Sequence, residues 1–129
     1  MTGVSIKHLA AIGAAGAAGA VLRYAVANAV YRVFGQDFPY GTLAVNVLGS
    51  LLIGYGYVVF IEKSMLGDLW RLAILVGLLG SFTTFSTFSL ETLNLFIQGE
   101  IMRAWTNVLA SVGLCVAATW GGIVLGRQW

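Results

Sequence analysis

The chain has 129 residues, of which 59% are hydrophobic and only 9% are charged. Soluble domains carry roughly 25% charged residues, and a soluble fold of this length could not bury so much apolar surface. The net charge of +2 comes without a basic cluster interleaved with aromatic residues, which argues against a nucleic-acid partner. We therefore predict an all-α membrane protein, with residues 1–129 forming a single integral-membrane domain.

Uncharged runs of sequence predict four transmembrane helices. A hydrocarbon core of about 30 Å requires about 20 helical residues. Runs of that length place the helices near residues 5–33, 41–61, 70–97 and 103–126. The connections between them are too short to hold a further domain, so the function is predicted to lie within the lipid bilayer.

Basic residues show only a weak bias between the two predicted sides of the membrane. One side carries Lys7, Lys63, Arg71 and Arg127, and the other carries Arg32 and Arg103, with Arg23 deeper in the first helix. Because the excess of Lys and Arg in cytoplasmic loops sets orientation, so small a bias predicts insertion in either direction.

The first helix combines small residues with one deeply placed charge. Gly13, Gly16 and Gly19 stand among alanines, a pattern that favours close helix packing. Arg23 lies about two-thirds along the helix. An arginine at that depth either extends to the interface, pairs with another group, or attracts anions in a wet vestibule.

Two further helices each present a narrow polar face with a spacing of four residues. The face of the second helix consists of Thr42, Asn46, Ser50 and Gly54, and that of the fourth of Asn107, Ser111, Cys115 and Thr119. The fourth-helix face is typical of a polar helix interface. Two readings of Asn46 remain equally open, an interhelical hydrogen bond and a donor that faces a pore.

The third helix is the most unusual part of the chain. Between Gly80 and Glu91 it contains six hydroxyl residues, Ser81, Thr83, Thr84, Ser86, Thr87 and Ser89. Such residues form helices poorly, because their hydroxyls compete for backbone hydrogen bonds or their branched side chains lose rotamers. Irregular backbone at membrane depth is tolerated where protein buries it or where it lines a wet path. This segment is therefore predicted to unwind and to serve permeation or binding.

Phenylalanines accompany the hydroxyl residues of this segment, with Phe82, Phe85 and Phe88 at helical spacing. The edge of an aromatic ring carries the positive end of its quadrupole. Ring edges, hydroxyls and amide donors together suit a small anion better than a cation.

Three motifs now carry a family resemblance. The runs Gly16–Tyr24, Gly41–Ser50 and Gly80–Thr92 together resemble the Fluc/CrcB family of fluoride channels. The resemblance covers all four helices in order. It implies passive, electrogenic fluoride export across the bacterial inner membrane, which protects against fluoride toxicity, and no enzymatic activity. It also implies an antiparallel, dual-topology homodimer in which two broken third helices cross and two pores run through the dimer.

The resemblance also implies roles for particular residues, carried over by motif. Phe85, Phe88 and Asn46 correspond to residues that face fluoride, and Ser86, Thr87 and Thr119 to a polar track. Arg23 corresponds to a vestibule arginine, and Thr42 and Glu91 to a further polar pair. The backbone carbonyls of Gly80 and Thr83 correspond to ligands of a structural Na⁺ at the dimer centre. Asn107 stands where some relatives have a tyrosine.

The alternative function is a small dual-topology drug/proton antiporter. Such transport depends on an ionisable carboxylate within the membrane, and Glu91 is the only candidate in the spans. A membrane enzyme is disfavoured, because no cluster of metal ligands and no nucleophile–base pair is evident.

Overall fold

The computed structural model describes residues 3–129, and nearly all of them are helical. The helices are α1 (Ile6–Phe34), α2 (Tyr40–Glu62), α3 (residues 68–82), α4 (Phe85–Ile97) and α5 (Ile101–Arg127). Together α3 and α4 form one span, Asp68–Ile97.

Four helical spans are long and apolar enough to cross a membrane, as the sequence predicted. Their mean hydropathy lies between 1.5 and 2.1. Each observed end lies within two residues of its predicted position. The protein is thus a multi-pass helical membrane protein.

Turn chemistry explains where α1 begins and ends. The Ser5 hydroxyl accepts a hydrogen bond from the backbone N–H of Lys7 at 3.3 Å, which caps the helix start. The helix ends at Gly35, whose φ of 84° is readily adopted only by glycine. Pro39, which lacks a backbone donor, directly precedes α2. The short loop returns the chain into the membrane.

Two stretches of the spans are wider than an α-helix. Val58–Glu62 at the end of α2 and Leu72–Leu79 within α3 are π-helical. The N–H of Lys63, for example, donates to the carbonyl of Val58, five residues earlier, at 2.8 Å. Sequence patterns gave no sign of this widening, because apolar residues fill either type of helix.

Glycines bring the helices together backbone to backbone. A Cβ atom on Gly77 of α3 would lie 2.7 Å from the Ile12 carbonyl oxygen of α1, and one on Gly19 would clash with the Leu78 carbonyl. The packing predicted for Gly19 is therefore confirmed, and Gly16 also touches α3. A Cβ on Gly13 would have no neighbour within 4 Å, so the described residues of this protomer show no packing contact there.

A second glycine contact, here called the α2–α5 seam, joins α2 to α5. Its members are Gly54 of α2, against the backbone of Thr119, and Gly122 of α5, against the backbone of Leu51 and Tyr55. The fully buried side chains of Val45, Val58 and Ala104 belong to the core. Since lipid supplies no hydrophobic drive for helix association, such close van der Waals contact is what stabilises the bundle.

Candidate functional site

The third span leaves helical geometry at two residues. Thr83 (φ −88°, ψ 157°) and Thr84 (φ −152°, ψ 119°) are extended, and they separate α3 from α4. Thr84 then begins α4, since its hydroxyl accepts a hydrogen bond from the N–H of Thr87 at 3.2 Å. An N-cap of this kind stabilises a helix start by about 1 kcal/mol. The sequence thus favours the start of a new helix, α4, at Phe85 over the continuation of α3.

Asn46 of α2 binds the extended segment from the side. Its Nδ2 donates to the Thr84 carbonyl at 2.9 Å, and its Oδ1 accepts from the Thr84 N–H at 2.8 Å. The amide thus pairs with Thr84 as a neighbouring strand would. Of the two readings left open for Asn46, the interhelical hydrogen bond is present. The same side chain also lines a cavity beside Phe85.

These bonds release two backbone carbonyls from their usual partners. In a continuous α-helix the N–H of Thr84 would donate to Gly80, and that of Thr87 to Thr83. Here Thr84 donates to Asn46 and Thr87 to the Thr84 hydroxyl. Within residues 3–129, the carbonyls of Gly80 and Thr83 therefore lose the donors that a helix would supply. These are the two carbonyls that the family resemblance singled out.

Arg23 reaches the same segment from α1. Its Nε donates to the carbonyl of Ser81 at 3.1 Å. That carbonyl would otherwise accept from the N–H of Phe85, which now lies beyond the break. Arg23 is half-buried and lines a cavity of about 380 Å³ with Thr84, Thr87 and Glu91. Of the three readings of Arg23, pairing with a backbone group is thus observed, and its position in a cavity is compatible with the vestibule role.

The two phenylalanines implicated by the sequence differ sharply in exposure. Phe85 is 77% exposed, whereas Phe88 is 9% exposed. Their ring centroids lie 5.3 Å apart with the planes inclined at 50°. Both rings line a cavity of about 400 Å³ that also includes Asn46, Ser111 and Cys115. This cavity and the one beside Arg23 share Thr84, so the break lies between them.

The remaining hydroxyl residues of the polar track are not gathered at one point within the protomer. Ser86 is exposed, and its hydroxyl lies 3.3 Å from that of Thr84. The Thr87 hydroxyl accepts a hydrogen bond from Thr84 at 3.2 Å. Thr119 lies at the α2–α5 seam, and its hydroxyl donates to the Cys115 carbonyl of its own helix at 3.0 Å.

Thr42 and Glu91 form a close pair. The Thr42 hydroxyl donates to Glu91 Oε1 at 2.8 Å. The other carboxylate oxygen, Oε2, is buried and has no hydrogen-bond partner among the described residues. Tyr31 of α1 lies beside this pair, with its hydroxyl 3.4 Å from Glu91 Oε1.

Asn107, which stands where some relatives have a tyrosine, joins two helices by a hydrogen bond. It is 1% exposed and donates to the hydroxyl of Thr92 at 2.9 Å, while the Ser111 hydroxyl donates to Asn107 Oδ1 at 3.3 Å. This confirms the prediction of a polar interface on that face of α5, at Asn107 and Ser111.

Sequence reasoning missed two residues of this region, Thr84 as the N-cap and Tyr31. The signal for Thr84 was present, because a threonine that precedes a helical run is a common cap. Tyr31 gave no signal, since an aromatic residue near a helix end is ordinarily read as an interface anchor.

Fold and site together define a class, that of small multi-pass proteins with an interrupted span that lies between two cavities. The chain belongs to the family described as CrcB-like protein, Camphor Resistance (CrcB), which matches residues 10–123. Similar proteins carry the name fluoride-specific ion channel FluC.

Three of these relatives illustrate the similarity. The protein from Methylococcus capsulatus (strain Bath) is 53% identical over 120 residues, which is 93% of this chain and 53% of the relative. Those from Geobacter sulfurreducens and Magnetococcus marinus are 49% and 50% identical, over 92% and 93% of this chain and 95% and 98% of their own lengths. The chain thus spans about half of the first relative and nearly all of the other two.

Proposed function

We propose that this protein is a fluoride-selective anion channel. The observation that carries the proposal is the break at Thr83 and Thr84, which lies between two cavities within a membrane span. Unwound backbone at such depth is tolerated where protein buries it or where it borders a wet path, and the flanking cavities favour the second. The names of the relatives, fluoride-specific ion channel FluC, supply the ion.

The chemistry of the cavity at Phe85 supports an anion. In the described part of the chain its lining contains hydroxyl and amide groups and no carboxylate. A hydroxyl donor such as that of Ser50, which also lines this cavity, can replace part of the water shell of a small anion. The edges of Phe85 and Phe88 add positive electrostatic potential without a formal charge.

Passive conduction gives the channel a protective role. An inside-negative membrane potential drives an anion outward by about 2.3 kcal/mol per 100 mV. In a bacterial inner membrane such a channel exports fluoride without any coupled substrate. Cells that lack it become sensitive to fluoride.

The exposed surface of α4 supports a homodimer. Phe85 is 77% exposed, and the hydroxyl residues Ser86 and Ser89 beside it are exposed as well. Polar side chains of this kind are costly in contact with lipid, so a second copy covers this surface. The weak bias of basic residues suits an antiparallel, dual-topology arrangement, in which the two breaks cross and residues of both subunits border two pores.

A structural sodium ion at the dimer centre is part of the proposal. The carbonyls of Gly80 and Thr83 have lost their helical donors, and a buried carbonyl without a partner costs about 1–3 kcal/mol. Two chains would together present four such oxygens, and partly unwound helices coordinate Na⁺ through carbonyls of this kind. In residues 3–129 there is no cluster of three or more His, Cys, Asp or Glu that would hold a metal instead. Bound sodium would neutralise the facing dipoles.

Ion replacement tests the sodium proposal. The variant Thr83→Ser keeps the backbone ligand, so the site and the activity should survive this change. Anomalous scattering from a heavier monovalent cation should place a peak between the two subunits. Water at that position, together with unchanged activity in sodium-free buffer, would refute the proposal.

Fluoride efflux from proteoliposomes tests the channel function. With a potassium ionophore to balance charge, the reconstituted protein should dissipate a fluoride gradient while retaining chloride. Comparable chloride efflux would contradict selectivity. A strict requirement for a proton gradient would favour the antiporter alternative, which the names of the relatives do not favour.

A further inference from the structure

We propose that Tyr31 forms the constriction between two cavities of the polar path and that its hydroxyl donates a hydrogen bond to a small anion passing between them. This inference rests on the channel function proposed above. Tyr31 belongs to α1 and lies outside all three sequence motifs quoted above. A ligand role for this residue therefore does not follow from those motifs.

The position of Tyr31 follows from the cavities on the α1 side. The outer cavity, about 530 Å³, extends to Gln36, Asp37 and Arg103 at the helix ends. The inner cavity, about 380 Å³, includes Arg23 and Thr84. Three residues line both cavities, namely Asn28, Tyr31 and Glu91. An anion that moves from one cavity to the other therefore passes the Tyr31 side chain.

The tyrosine ring is held in place by the start of α2. A Cβ atom built on Gly41 would lie 2.7 Å from Cδ2 of the Tyr31 ring and 2.7 Å from the Ala27 carbonyl. The ring therefore occupies the space that any larger residue at position 41 would need. Because close packing fixes the ring, its hydroxyl stays at the junction of the cavities.

The hydroxyl itself is held only loosely. It lies 3.4 Å from Thr42 Oγ1 and 3.4 Å from Glu91 Oε1. Both distances exceed the roughly 2.5–3.0 Å of ordinary O–H···O hydrogen bonds, whereas Thr42 and Glu91 are 2.8 Å apart. Since a hydroxyl hydrogen turns freely about its C–O bond, Tyr31 gives up little when it donates to an anion instead.

A hydroxyl donor at this point offsets the repulsion between an anion and the Glu91 carboxyl group. An anion between the cavities comes close to the Glu91 carboxyl group, while Arg23 lies on the inner side only. A phenol donor stabilises a small anion at this point without adding a charge that would trap it. The ligand class is a compact, strongly hydrogen-bonding anion.

Fluoride titration with carbon NMR tests the contact directly. The chain has five tyrosines, and labelling each at ring carbon Cζ gives one signal per residue, with Tyr31 identified by its loss in Tyr31→Phe. Addition of sodium fluoride should shift the Tyr31 signal, and an equal concentration of sodium chloride should not. Tyr57, near the far end of α2, serves as the internal control. An unchanged Tyr31 signal overturns the proposal whether or not the protein conducts.

Flux measurements add a second test. In Tyr31→Phe the fluoride concentration for half-maximal efflux should rise about tenfold, equivalent to about 1.4 kcal/mol, with a smaller change in maximal rate. Tyr57→Phe should behave as wild type. A fall in maximal rate alone would indicate a purely structural role and overturn the inference. A Tyr31 shift in a protein that conducts no fluoride would instead sink the channel proposal and leave this contact standing.

Discussion

The α2–α5 seam and the break between α3 and α4 both bring backbone close to a neighbouring helix, by opposite means. At the seam the helices stay intact and side chains are absent, so Gly122 touches the backbone of Leu51 and Tyr55 directly. At the break the helix is open, and the side chains of Asn46 and Arg23 bind its backbone groups. Regular backbone needs only space, whereas irregular backbone in a membrane needs hydrogen-bond partners.

One face of α2 contains both arrangements, close glycine packing and side-chain binding of open backbone. Asn46 and Gly54 lie two i+4 steps apart on the same face, the first beside the break and the second at the seam. The small-residue pattern therefore serves packing at one end and backbone binding at the other. Substitutions at the two ends should fail in different ways.

The largest effect is expected at the seam. A Cβ on Gly122 would lie 2.7 Å from the Tyr55 N–H nitrogen and closer still to the Leu51 carbonyl. Gly122→Ala should therefore cost about 1–3 kcal/mol or more by overpacking, seen as loss of monodisperse protein on graded heating. Gly121→Ala is the matched control, since its nearest neighbour would be 4.0 Å away. Equal stability of the two variants would contradict the packing account.

Substitutions of the two phenylalanines beside the break should reduce fluoride efflux while the protein stays folded. Phe85→Ile and Phe88→Ile keep most of the apolar volume but lack the ring quadrupole, so fluoride efflux should be abolished or strongly slowed. Phe88 is buried, so its variant should also lose stability, by less than about 1.5 kcal/mol. Phe85→Ile should leave the stability of the isolated protomer unchanged. Normal conduction in both variants would show that the rings only pack.

Asn46→Asp tests the reciprocal amide pair. The change replaces the donor to the Thr84 carbonyl with an oxygen and places negative charge beside the path. This hydrogen bond is part-buried and contributes about 1 kcal/mol, and the added charge repels an anion, so efflux should fall about tenfold or more. As a second measurement, Asn46→Ala should speed hydrogen exchange at the Thr84 amide. Wild-type efflux in Asn46→Asp would show that the hydrogen bonds between Asn46 and Thr84 are not required for conduction.

A smaller effect is expected for Arg23→Lys, which keeps the charge but loses the Nε–H that binds the Ser81 carbonyl. Efflux should fall about fivefold, because one hydrogen bond contributes about 1 kcal/mol and a loss of that size corresponds to a factor of about five. Arg32→Lys, the same change at an exposed position in the last turn of α1, should have no effect. If Arg23→Lys conducts fully, the role of Arg23 is charge attraction alone.

Composition was enough to predict the four spans, because their apolar runs have the length a bilayer demands. The hydroxyl residues likewise indicated where the third span departs from helix geometry. Their partners were beyond sequence reasoning, since Asn46 is 38 residues from Thr84 along the chain and only the packed fold brings them together. The placement of the Tyr31 ring depends on its contact with Gly41, which no periodic pattern encodes.

The two extended residues also affect how the protein fits its bilayer. A helix advances about 1.5 Å per residue and an extended chain about 3.3 Å, so Thr83 and Thr84 cover about 3.6 Å more than two residues of α-helix would. This span has 30 residues, which gives about 45 Å even as uninterrupted helix. That is the thickness of a membrane with its headgroups. Lipids of graded acyl-chain length would therefore stretch or compress the segment in which the polar groups lie.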